Sequence, residues 1–310
     1  MLKYTIRRLL LVIPTLFVVL LITFTLAHAA PGSPWDKDES KKQPQQIVDN
    51  LNRKYGLDQP IPNQFVIYLW SAVRGDFGVS FTFRDRQVTD IIGEALPKSA
   101  QLGIQAILLA VAISVPLGVI SALKQNSAVD YGALLFATAG YAIPSFVLAI
   151  FFIYFFAVSL HWLPASGWGG GAPRNLVMPT ILLAIGASAF LARITRASML
   201  EAIRQDYVRT ARSKGLREQV VIVGHVLKNA LIPVVTVLGP ATAGIITGTF
   251  FIEQIFAIPG LGRYFVNSIL GRDYPMILGV YLLYALIISL ANLTVDLVYG
   301  VLDPRIKVAT

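Results

Sequence analysis

The chain of 310 residues has no cysteine, so a disulfide framework or a thiolate metal site is excluded. It has only three histidines, His28, His161 and His225, scattered too widely to form a metal cluster. Charged residues make up 14% of the sequence. There is no G-x-x-x-x-G-K-[ST] phosphate loop, no H-E-x-x-H and no G-x-S-x-G. The run Gly169–Gly171 lacks a following Lys-Ser or Lys-Thr, and Gly260-Leu261-Gly262 lacks a third glycine and a preceding strand. These absences exclude the common nucleotide-binding, zinc-hydrolase and serine-hydrolase chemistries. No cofactor or metal is expected to be bound by the chain itself.

What it has is hydrophobicity. Residues of apolar type make up 55% of the chain, and uncharged apolar runs long enough to cross a bilayer recur along it. Six spans are expected, roughly 9–30, 99–123, 131–160, 177–200, 230–252 and 277–302. The third is long enough to include tilt or an interfacial turn. The fold class is an all-α polytopic membrane protein. Lys3, Arg7 and Arg8 followed by a greasy stretch and Ala27-His28-Ala29 mimic a cleavable signal. The 19-residue run from Leu9 to Ala27 is longer than a signal core and five more spans follow it, so a retained helix is expected.

The distribution of Lys and Arg orients the chain. With the N-terminus inside, the cytoplasmic segments 1–8, 124–130, 193–229 and 303–310 carry 14 of them, and the short outer loops 161–176 and 253–276 carry 3. Both termini are expected in the cytoplasm. The formal net charge of +9 then lies on the cytoplasmic side, where it suits anionic lipid headgroups and calls for no nucleic-acid partner.

This divides the chain into an N-terminal helix (1–30), an external insertion (31–98), a body holding the other five spans over 99–302 with a large cytoplasmic loop at 197–229, and a tail (303–310). In the insertion, Ile47, Val48, Leu51 and Tyr55 at helical spacing before Gly56 predict one short helix. Phe65, Tyr68 and Leu69 after Pro62 predict a second, and Ile91, Ile92, Ala95 and Leu96 a third, stopped by Pro97. The insertion reads as a cap over the outer mouth or as a docking surface. Gly239, Ala243, Gly244 and Gly248 give the fifth span a small-residue packing face. Trp162 and Trp168 fit an interfacial aromatic belt.

Two polar features stand out. Asp296 falls well inside the last span, with Asn292 one turn earlier on the same face. It either lines a pathway or makes a packing contact satisfied by Asn292 or a tyrosine. The second feature is DYVRTARSKGLREQ (206–219). Leu200, Ile203, Tyr207, Val208 and Ala211 form an apolar stripe over a helix expected at 200–214. Arg212 and Lys214 lie in its last turn, and Gly215 sits where a left-handed cap is wanted. Ala211 and Gly215 leave room for another surface to approach. The segment reads either as an interfacial helix on lipid or as a docking helix.

Residues 206–233, DYVRTARSKGLREQVVIVGHVLKNALIP, resemble the cytoplasmic loop of permease subunits of binding-protein-dependent ABC importers. That family's pattern, E-A-A-x-x-x-G, appears here as Arg209-Thr210-Ala211 and then Gly215. The glutamate is replaced, and Pro233 lies farther from the glycine than in the general pattern, as in the peptide-transporting branch. GLDQP (56–60), GDFGVSF (75–81), ALKQN (122–126), HWLPASGWGGG (161–171), ARITRASM (192–199), FAIPGLG (256–262), NSILGRDYP (267–275), APGSP (30–34) and LDPRI (302–306) extend the resemblance over nearly the whole chain. It implies a type I importer transmembrane fold in a bacterial inner membrane and a homologous second permease. Two cytoplasmic ATPases that use ATP and Mg, and an external peptide-binding protein, complete the implied assembly. The cargo implied is oligopeptides, with dipeptides, glutathione or nickel as alternatives, and this subunit would not be an enzyme. By the same resemblance, Asp206, Tyr207, Arg209, Thr210, Ala211, Arg212, Lys214 and Gly215 form the helix that couples to the ATPase.

Overall fold

The computed structural model describes residues 2–30, 34–35, 45–83, 86–246 and 249–302. Among them the chain is almost entirely helical, because long apolar segments must satisfy their backbone groups internally to enter a membrane. Five helices or helical stretches are long and apolar enough to cross: Thr5–Ala29, Val88–Leu123, Pro173–Ile203, Glu218–Ile255 and Tyr274–Leu297. A bent pair, Ala128–Ala142 and Ser145–Ser159, brings the count to six if taken as one span.

Helix α1 (Leu2–Ala29) runs beside the last helix. It is followed by α2 (Gln45–Tyr55), α3 (Ile61–Val73) and the long α4 (Val88–Leu123). The first two insertion helices thus form as expected, and Gly56 after α2 takes φ +68°. The third does not exist as a separate helix. Ile91, Ile92 and Ala95 belong to α4, which continues through Pro97 and Pro116. The end of the segment expected as an insertion therefore shares one continuous helix with the second span.

The expected third span is broken. Helix α5 (Ala128–Ala142) and α6 (Ser145–Phe152), which continues as a π-helical segment Ile153–Ser159, meet at an angle of 100°. Pro144 explains the break: the residue before it, Ile143, takes φ −83°, ψ 121°, the extended geometry a following proline favours.

Helix α7 (Pro173–Ile203) packs against α4 along most of its length. Their close approach is set at Gly118, where an added Cβ would lie 2.6 Å from Thr195 Cβ and 2.8 Å from Ala192 O. Next come α8 (Asp206–Ser213), the short α9 (Glu218–Val220) and a π-helical segment Val221–Leu227. The rest is α10 (Lys228–Ile246), α11 (Phe250–Ile255), α12 (Leu261–Leu270) and α13 (Tyr274–Leu302). Gly239 of α10 abuts Val295 and Ala291 of α13, so its lack of a side chain brings the two helices together. Gly248, the fourth residue of the small-residue face, lies outside the described residues, as do the tail 303–310, most of LDPRI and residues 31–33 of APGSP.

The segment between the first two spans has its own packing. Trp35, Phe81 and Tyr274 are buried together with Val48, Leu51 and Tyr55 against them. Phe65, Tyr68 and Leu69 of α3 pack on Leu20 and Phe24 of α1 and Leu278 of α13. His28 stacks on Phe24 at 4.0 Å between ring centres and shares a 3.0 Å hydrogen bond with Gln64. Among the described residues no three His, Asp or Glu side chains group as a metal site.

Candidate functional site

The segment 206–219 is built on a turn. The helix expected at 200–214 is two: α7 ends at Ile203 and α8 begins at Asp206. Arg204 N and Gln205 N donate to Glu201 O and Ala202 O at 3.2 Å, tightening the last turn of α7. Gln205 is extended, and its carbonyl accepts from Val208 N to start α8. Gly215 takes φ +72°, the left-handed conformation its position after a helix calls for. A Cβ built on it would meet nothing within 4 Å, so the need for glycine there is conformational.

Helix α8 is two-faced. Val208 and Ala211 are fully or nearly fully buried. They rest on Ala122 of α4, Met199 and Ala202 of α7, Val221 and Val226 of the π-helical segment, and Ala230 of α10. The small size of Ala211 thus lets α8 approach its own bundle, a correction to the idea that it leaves room for an outside surface. Asp206, Tyr207, Arg209, Thr210, Arg212, Lys214 and Gly215 are exposed. Arg212 Nη2 donates to Glu218 Oε1 at 2.7 Å and its Nε to Oε2 at 3.2 Å, a two-pronged bond that fastens α8 to the start of α9. That bond raises the Arg212 pKa above its already high ordinary value, so its charge is constant over physiological pH. Arg209 lies 3.6 Å from Asp206 within the helix. Exposed Tyr207, Leu216 and Val220 add apolar surface beside the cations. The result is a short, basic, externally bare helix on a packed apolar seat.

Three buried acids escaped the sequence reading. Asp130, 1% exposed, accepts from Arg196 Nε at 2.6 Å and Nη2 at 2.7 Å, from Ser121 Oγ at 2.5 Å and from Asn126 N at 2.9 Å. Glu253 accepts from Ser99 Oγ at 2.8 Å and from the amides of Thr249 and Arg263 at 3.2 Å each. Ser99 in turn accepts from Leu261 N at 2.8 Å. Asp273 accepts from Ser80 Oγ, from Thr82 N at 3.0 Å and from Met276 N at 3.3 Å. Each acid ties a loop to distant elements by hydrogen bonds its burial requires. The signal available was that Asp130 and Arg196 fall inside ALKQN-SAVD and ARITRASM, stretches with few other charges.

Asp296 has a different partner from the one expected. Arg8 Nη2 of α1 stands 3.2 Å from its Oδ2, while Asn292 lies one turn away in a groove with Arg8, Thr15 and Ser289. The neighbouring Val295 faces Gly239, about three turns into α10 from Lys228, which places the pair at membrane depth.

A family model described as "Binding-protein-dependent transport system inner membrane component" matches residues 114–308, and its N-terminal companion matches 1–103. The oligopeptide transport system permease protein OppB of Salmonella typhimurium is 45% identical over 307 residues, covering 99% of this chain and 100% of its own. The dipeptide transport system permease protein DppB of Bacillus subtilis is likewise 45% identical, over 99% of this chain and 98% of its own. Among solved structures, the inward-facing MetNI methionine ABC transporter superposes with a TM-score of 0.55 at 17% identity. That match covers 69% of this chain and 96% of the other, a likeness of fold alone.

Proposed function

The chain belongs to the family of binding-protein-dependent transport system inner membrane components, and from that premise we propose that it is the permease subunit of an ATP-driven peptide importer. Its fold is the type I importer transmembrane fold, and it is a multi-pass membrane protein. In this reading α8 is the coupling helix. The observation that carries it is the division of α8 into a buried face, Val208 and Ala211, and a bare basic face, Arg209, Arg212 and Lys214. A helix lying on lipid would turn its apolar face to the bilayer. Here that face is already occupied by the chain's own seat, leaving the charged face to meet a protein.

Two cytoplasmic ATPases bind α8 and its counterpart on a homologous second permease, and they hold the ATP and Mg. This subunit hydrolyses nothing. Closure of the ATPases shifts α8, and through its seat the membrane helices, between inward-open and outward-open states. An external peptide-binding protein delivers cargo to the outer mouth, where the insertion 31–98 offers a docking surface. Both termini and residues 197–229 lie in the cytoplasm of a bacterium. The cargo is an oligopeptide, after the name of the Salmonella typhimurium relative. Equal identity to a relative named for dipeptides makes dipeptides the second reading.

Co-expression with a second permease and the ATPases, followed by purification through this chain, tests the assembly. Retention of the ATPases in stable proportion is expected. A chain that purifies without them under conditions that keep both permeases together contradicts the reading.

A further inference from the structure

The seat of α8 is apolar, held by many small non-directional contacts. A displacement at Val208 and Ala211 presses on Ala122 of α4 and on Met199 and Ala202 of α7, so it is passed on whole only if those helices move as a unit. Immediately beside that seat lies a polar cluster of fixed direction. Ser121 precedes Ala122 on α4, and Arg196 stands one turn before Met199 on α7. Asp130 in the first turn of α5 receives bonds from both, and also from the amide of Asn126 in the loop between α4 and α5. Its own amide donates to Ser127 Oγ at 3.4 Å. The Arg196 fork is bidentate, which fixes both distance and orientation. Asp130 is almost fully buried, so its oxygens are shielded from bulk solvent. A second contact between the same two helices lies farther along, where the Arg193 guanidinium sits 5.9 Å from the centre of the Tyr141 ring.

We propose that Asp130 is a positioning residue for transport: with Arg196 and Ser121 it latches α4, α5 and α7 into one body beneath the coupling helix. Motion imposed on α8 then reaches all three membrane helices together. The proposal rests on the reading of α8 as the ATPase contact and adds the part that carries its motion onward. Without the latch the ATPases still bind α8 and still hydrolyse ATP, but the strokes are dissipated in slippage between α4, α5 and α7.

The test uses the complete transporter in proteoliposomes, with ATPase content, ATP hydrolysis and peptide uptake measured on the same sample. Asp130→Asn keeps the size of the side chain and replaces one acceptor oxygen with a donor. It is expected to retain the ATPases and continue hydrolysis while peptide taken up per ATP falls about fivefold or more. Arg196→Lys keeps the charge and loses the fork, and Ser121→Ala removes one of the bonds. Both are expected to shift the same ratio in the same direction by less, and they carry the test if Asp130→Asn fails to assemble. An unchanged ratio in all three variants overturns the latch. So does a fall in uptake matched by an equal fall in hydrolysis, which marks a merely structural role. Failure of the underlying reading shows separately, as a native complex that holds no ATPase.

Discussion

Arg8 on the first membrane helix and Asp296 on the last stand 3.2 Å apart, joining the two ends of the chain's helical sequence inside the bilayer. Arg8 is 47% exposed and Asp296 20%, so the pair lines the groove between α1 and α13 on one side. An unpaired charge costs about 2.5–3.5 kcal/mol at the centre of a membrane helix and less toward its ends, and the pairing offsets part of that cost.

Removing both partners should therefore cost less than the sum of removing each. Asp296→Asn and Arg8→Gln each lower the thermal unfolding temperature of the purified chain, and the double variant falls short of their sum. A coupling energy of about 1 kcal/mol is expected from the cycle. Strict additivity would mean that the two side chains do not interact.

Glu253 accepts three hydrogen bonds and has no exposed surface. Glu253→Gln turns an acceptor into a donor that faces other donors and should destabilise by about 1–3 kcal/mol. Gly260→Ala should do comparable harm by a different route, since its Cβ would come within 2.5 Å of both Glu253 Oε2 and Ser99 Oγ. Thermal unfolding in detergent measures both. Native stability in either variant would show that this outer knot is not holding α4, α11 and α12.

The two faces of α8 should separate by experiment. Val208→Asp places a charge in the apolar seat and lowers stability and yield. Arg209→Glu combined with Lys214→Glu changes only exposed groups, leaving the stability within about 0.5 kcal/mol of native. The second variant releases the ATPases, and raising salt weakens their retention by the native chain. ATPase content after purification in low and high salt checks this. Retention by the reversed-charge variant would mean that the basic face is not the contact.

The absence of cysteine makes topology directly measurable. A single Ser213→Cys beside Lys214 should react with an impermeant maleimide only in inside-out vesicles. Ser166→Cys, in the loop that carries Trp162 and Trp168, should react only in right-side-out ones. The opposite pattern would reverse the orientation and remove α8 from the reach of cytoplasmic ATPases.

Five of the spans were legible in the sequence because each needs a long apolar run, and the end of α8 because Gly215 is a local signal; the bend in the third span and the break between α7 and α8 were not. The partners of the buried acids were not legible. Asp130 and Arg196 are 66 residues apart, and Glu253 and Ser99 are 154 apart, distances over which no local period carries information. The prolines divide in the same way. Pro144 breaks its span because Ile143 takes the extended conformation, whereas Pro97 is carried inside α4, whose neighbouring Ile91, Ile92 and Ala95 are held by α12 and α13. Tertiary packing overrode the local signal at Pro97, whereas at Pro144 the chain bends as the local signal directs. Asp296 was recognised as a polar residue at membrane depth, but its partner came from the far end of the chain.

The most direct measurement is peptide accumulation by proteoliposomes holding the two permeases, the ATPases and the binding protein, followed with a labelled oligopeptide. ATP supplied to the ATPase side should drive peptide in above its external concentration, and the Arg209→Glu, Lys214→Glu variant should abolish this while leaving both permeases in the membrane. Accumulation that proceeds without ATP, or that survives the loss of the α8 charges undiminished, would contradict the account.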